Sequence, residues 1–138
     1  LIRQEKISKA QNSGLKVKIR RVKVMRLFFK YRNAAIKSFE LSLETAGKLL
    51  RKALKAFEAS PRSVDALVFN DVLRHAGKHG MLSSAEVERW LAYRANRNNT
   101  AHDYGAGFAN DTLQLLPAYL QDVRALSAAL QKVFDASA

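Results

Sequence analysis

The chain has 138 residues, about one domain's worth, and 48% of them are hydrophobic, enough for one core. It has no cysteine, which excludes disulfides, thiolate nucleophiles and Cys-based zinc sites and fits a reducing cytoplasm, the expected location. The net charge of +12 is uneven: residues 1–30 hold ten Lys or Arg against Glu5 alone, which leaves +3 for residues 31–138.

In chain order, the first segment differs from the rest. After Gly14, Leu15-Lys16-Val17-Lys18-Ile19-Arg20 and Val22-Lys23-Val24 alternate apolar and basic residues. Alternation of that kind suits a strand, although no second strand is legible to pair with it. Residues 1–25 are therefore expected to be a basic arm, disordered or non-native, with Met25 as a candidate start and residues 26–138 as the folded domain. Lys18, Arg20, Arg21 and Lys23 are its candidate nucleic-acid contacts. A solvated tail with no partner is the competing reading.

From Leu27 the period becomes helical. Ile36, Phe39, Leu43, Ala46, Leu50, Ala53 and Phe57 follow a 3-4 spacing and make one apolar stripe. Glu44 and Lys48 form a favourable i,i+4 pair off that stripe. Gly47, in mid-helix, costs about 1 kcal/mol against Ala unless it permits close packing. Ser60-Pro61 reads as a cap followed by a first helical residue. The helix it opens buries Val64, Leu67, Val68, Val72 and Ala76 and ends at Gly77 or Gly80. Ser83 and Glu86 form a capping box for a third helix, carrying Val87, Trp90, Leu91 and Tyr93 to about Asn98. Asn98-Asn99-Thr100 is prone to turn. A last helix, capped by Asn110 or Asp111, is striped by Leu113, Leu116, Leu120, Val123, Leu130 and Phe134, with a kink or restart at Pro117. Four helices with short connections predict an all-α, antiparallel up-and-down bundle. No apolar run approaches the ~18 residues of a membrane span, and no signal-peptide pattern is present.

Chemistry concentrates in Arg97-Asn98-Asn99-Thr100-Ala101-His102-Asp103-Tyr104. An arginine grips phosphate oxygens with a permanent charge, and a histidine moves protons near neutral pH. Together they can cleave a phosphodiester without a metal or other cofactor: His102 handles a hydroxyl proton and Arg97 stabilises phosphoryl charge. A straight helix sets the two about 140° apart. The Asn-Asn-Thr patch must then break the helix, or two copies must share a cleft. The bland alternative makes Arg97 a helix-end charge and His102 a hydrogen-bonded loop residue. His75 and His79, at i,i+4, lack a nearby carboxylate and read as a solvated helix end more readily than as zinc ligands, so no metal is expected. Trp90 and Tyr93 read as core or dimer interface.

Three segments carry a resemblance: Arg32 to Leu41, Ser60-Pro61-Arg62-Ser63-Val64, and Arg97 to Tyr104. In that order they resemble the HEPN proteins encoded beside minimal nucleotidyltransferases, in particular the nucleotidyltransferase substrate-binding branch, over roughly residues 27–135. Asn98 takes the polar place of the family's Arg–polar–x3–His motif, and Tyr104 the Tyr that follows it. The basic arm stands where such proteins usually have a further helix. The resemblance implies a homodimeric bundle and a cognate nucleotidyltransferase subunit, in the manner of a toxin–antitoxin pair. It further implies a metal-independent RNase site of Arg97 and His102 at the dimer cleft, acting on RNA or holding a nucleotide. Tyr104 is then the place where the partner attaches AMP. The alternative is a nucleic-acid-binding or structural bundle with a degenerate motif.

Overall fold

The computed structural model describes residues 2–100 and 106–137, with side chains for 8–27, 29–98 and 110–137. The described residues form five helices and no strand: α1 (Ile2–Leu54), α2 (Pro61–Asp65), α3 (Phe69–Lys78), α4 (Ser84–Thr100) and α5 (Ala106–Ala136). The chain divides into two units, Leu1–Ala35 and Ile36–Ala138.

In the first unit the alternating segment is helical, not extended, and α1 runs through it without a break. The alternation was misleading because Leu15, Ile19, Val22 and Phe29 also fit helical spacing. Between Gly14 and Gly47 no glycine or proline interrupts the helix, and Lys, Arg, Leu and Met are good helix formers. The described side chains from Ser8 to Tyr31 are exposed, apolar ones included: Leu15, Val17, Ile19, Val22, Val24 and Phe29.

The second unit holds the core. Phe39, Leu43, Ala46, Leu50 and Ala53 of the α1 stripe are buried as their spacing predicts. Phe57 falls beyond the end of α1 and is 45% exposed, stacked on His79. The helix expected from Pro61 to Ala76 is interrupted. Ser60 caps α2, but α2 lasts five residues, and Val68 becomes the exposed residue preceding α3. The interruption is stabilised from α1: Arg51 Nη1 donates to the carbonyls of Val64 (2.7 Å) and Leu67 (2.8 Å). These bonds from Arg51 satisfy backbone carbonyls that a continuous helix would have satisfied internally.

The ends of α3 and α4 are local and follow their sequence signals. Gly80, at φ 77°, ends α3 in a Schellman motif, with Met81 N donating to Ala76 O and Gly80 N to Gly77 O. Ser83 Oγ accepts from Glu86 N (3.1 Å) while Glu86 Oε1 accepts from Ser83 N (3.0 Å). α5 has already begun at Ala106, so Asn110 and Asp111 lie inside it and do not cap it, and it continues through Pro117 without a restart.

α3 and α4 pack antiparallel, as do α4 and α5. Because α2 carries the chain back along α1, α1 and α5 run the same way, with Ser42 beside Tyr119 and Lys52 over the Phe134 ring. Phe39, Trp90, Tyr93 and Tyr119 meet edge to face at the centre, with centroids 4.7 to 6.5 Å apart. Trp90 is fully buried, as expected of a core residue.

Gly47 is explained by α3. A Cβ there would overlap the ring of Phe69, over which the Arg94 guanidinium stacks at 4.6 Å. Gly47→Ala is expected to destabilise the protein by about 1 kcal/mol net, the clash outweighing the gain in helix propensity. In a Phe69→Ala background the same change should stabilise, by up to about 1 kcal/mol. Urea midpoints of the four proteins check this, and equal effects in both backgrounds contradict the contact.

Candidate functional site

The motif begins on the last turn of α4. Arg97 is half-buried and Asn98 exposed. Helical geometry persists through Thr100, so the chain does not turn at Asn98 as expected. The propensity penalty for these residues is only about 0.7 kcal/mol each or less, which one more turn of backbone bonding overcomes. His102 and Tyr104 lie outside the described residues.

A series of polar ties to α5 holds the helix that carries Arg97. Asn96 Nδ2 donates to Oγ1 of the fully buried Thr112 at 3.0 Å. Earlier on α4, Arg89 grips Asp122 with two parallel bonds of 2.8 Å, from Nε and Nη2. Tyr93 donates its hydroxyl to the same carboxylate at 2.6 Å. Asp122 is only 4% exposed. The Arg89 guanidinium, helped by the Tyr93 hydroxyl, holds its carboxyl below the usual carboxylate range, against the opposing effect of burial. Burial, then the bond to Asp122, pushes the Tyr93 phenol up, so it stays a donor. This network fixes the rotation of α4, and Arg97 stands one turn beyond Tyr93 on the same face. A further tie joins Ser42 Oγ and Tyr119 OH at 2.5 Å, and burial raises the Tyr119 phenol.

Asp122, Arg89, Thr112 and Tyr119 were not singled out from the sequence. Their partners lie 16 to 77 residues away, and no local pattern announces such pairs.

The histidine pair does have a carboxylate. Glu58 Oε1 lies 2.7 Å from His75 Nδ1 and 3.1 Å from His79 Nε2. Bonds from His75, then His79, hold Glu58 below its ordinary range. Among the described residues no group of three or more His, Asp or Glu side chains is arranged to hold a metal ion. The cluster joins the turn after α1 to the end of α3.

The four basic residues taken from the arm do not share a face. Helical geometry puts Arg20 and Lys23 on one edge of α1 and Lys18 and Arg21 on the other. Between α1 and α5 of the second unit lies an open groove of about 440 Å³, lined by Ala46, Leu49, Leu126, Leu130 and Phe134 among others. No helix among the described residues is long and apolar enough to cross a membrane.

Residues 8–132 match the family described as nucleotidyltransferase substrate binding protein like. The match includes most of the basic segment, the full length of α2 to α4 and the motif. A curated relative, "Probable ribonuclease HepT" of Haemophilus influenzae, is 33% identical over 70 residues, 51% of this chain and 47% of that protein. The chain thus spans about half the length of this relative. No solved structure gives a significant match. An all-α bundle matched over nearly its whole length, whose Arg–polar–x3–His sequence begins with Arg97 on α4, belongs to the HEPN-type nucleotidyltransferase substrate-binding proteins.

Proposed function

We propose that this protein is the HEPN partner of a minimal nucleotidyltransferase, the toxin component of a toxin–antitoxin pair, with a metal-independent RNase site of Arg97 and His102. The observation that carries this reading is the family match over residues 8–132 with the whole Arg97–Tyr104 motif inside it. Support comes from the rigid seating of α4, which holds Arg97 on a defined face, and from the relative named as a ribonuclease.

In this reading His102 assists transfer of the 2′-hydroxyl proton as the 2′-oxygen attacks the adjacent phosphorus. The P–O5′ bond breaks, leaving a 2′,3′-cyclic phosphate and a 5′-hydroxyl that takes up a proton. Arg97 balances the charge that grows on the non-bridging oxygens. A homodimer brings two motifs together, and the apolar groove between α1 and α5 is a surface such pairing can use. AMP joined through the Tyr104 hydroxyl, with pyrophosphate released from ATP by the partner, would put bulk and a negative charge beside Arg97.

The test is RNA cleavage by the purified protein in EDTA. Cleavage to cyclic-phosphate ends, silenced by the partner plus ATP in the parent but not in Tyr104→Phe, is the expected result. A second reading follows from the family description itself: the protein presents an acceptor to the nucleotidyltransferase. A stable complex with the partner but no cleavage in EDTA would favour that reading and overturn the RNase.

A further inference from the structure

Folding the arm as a helix rearranges its charges into a pattern the alternating sequence hides. Lys9, Lys16, Lys23 and Lys30 are seven residues apart throughout. On α1 each step advances about 10.5 Å and turns only about 20°, so the four form one row roughly 31 Å long. Arg20 lies beside the row, between Lys16 and Lys23. All five are exposed. No Asp or Glu occurs between Glu5 and Glu40, and none of the five is ion-paired to a described acidic residue. Lys18 and Arg21 occupy the opposite edge, and strips of exposed apolar residues separate the two edges.

We propose that the Lys9–Lys16–Lys23–Lys30 edge of α1 binds the phosphodiester backbone of a nucleic acid. Charge selects the occupant. A second copy of the segment would bring ten bases and one acid against ten bases and one acid, so self-pairing along this edge is repulsive. A line of one sign, uninterrupted for three heptads, complements a uniform polyanion. Duplex nucleic acid carries one charge per about 1.7 Å of axis, so charges about 10.5 Å apart find phosphates in any register. Recognition is therefore independent of base sequence, and it is separate from Arg97 and His102: a cleavage-dead variant keeps it.

The test is fluorescence anisotropy on the full chain with RNA and DNA duplexes of about 24 base pairs, at several salt concentrations. Lys16→Glu/Lys23→Glu is expected to weaken binding by about tenfold or more, whereas Lys18→Glu/Arg21→Glu should stay within about threefold of the parent. Both variants make the same charge change in the same turns and differ only in the edge. Changing all four row lysines to Gln should lower the slope of log K against log salt by about 3 to 4 for a duplex. Binding to both duplexes is the expected result, and binding to RNA alone would overturn backbone recognition in favour of 2′-hydroxyl or A-form contacts. Equal losses from the two edges, or no loss from either, overturn the proposal. So does tighter binding of polyglutamate than of either duplex at equal charge, which would indicate an acidic protein partner. Circular dichroism of each variant separates lost binding from lost helix.

Discussion

Asp122→Ala is expected to lower the stability of the bundle by about 2–4 kcal/mol, chiefly by leaving the Tyr93 hydroxyl buried without its acceptor. Tyr93 is 2% exposed and donates to Asp122 at 2.6 Å, so water cannot easily replace that carboxylate. Arg89, by contrast, has 45% of its side chain exposed and can turn back to solvent. Asp122→Asn keeps the shape and an acceptor for Tyr93, and should cost about half as much. The pH dependence has a definite sign. Asp122 titrates lower in the folded protein than in the unfolded chain, so its contribution is fully present above the unfolded carboxylate value near 4. It is lost as pH falls through the folded value. Arg89→Ala should reverse that dependence. With its cation gone, the buried carboxyl is raised above its unfolded value, and the variant then gains stability as pH falls through that raised value. Urea unfolding between neutral pH and about pH 4 should show the gap between Arg89→Ala and the parent narrowing as the pH falls. A constant gap would show that Arg89 contributes nothing through the charge of Asp122.

This network also marks where sequence reading stops. The α1 stripe, the Ser60 and Ser83 caps and the Gly80 stop were legible because each depends on residues within a turn or two. The interruption between α2 and α3 was not, because Arg51, the residue that stabilises it, lies 13 and 16 positions before its acceptors. No local pattern marks Asp122 among the residues of α5, yet tertiary packing buries it between Arg89 and Tyr93. The opposite error occurred in residues 15–24. There a period of two is real, but on a helix it produces two apolar strips and two basic edges. Residue types alone did not choose between strand and helix. Continuity with a long helix did. For the motif, the proposed chemistry rests on residue types alone, and the structure adds the helix that carries Arg97.

The seat sets what should happen when the motif is changed. In the proposed RNase, His102→Ala is expected to reduce RNA cleavage by about 10²–10⁴-fold, the usual worth of a positioned general acid or base. Arg97→Ala should cost about 10²–10³-fold, the scale found for removing one stabiliser of transition-state charge. Arg97→Lys should recover part of that loss, because it keeps the charge but not the two-pronged grip on phosphate. Residues acting on one transition state are not additive, so the double variant should be little worse than the poorer single one. Asn96→Ala offers an independent check on positioning. It removes the bond to the buried Thr112 while leaving the Arg97–Tyr104 sequence itself unchanged, and should lower kcat more than it raises KM if Arg97 works from a fixed α4. Single-turnover cleavage in EDTA, with folding checked by circular dichroism, measures all five variants. If His102→Ala cleaves as fast as the parent, the proton transfers belong to another group. If Arg97→Ala alone is silent, the motif serves to grip phosphate and not to move protons.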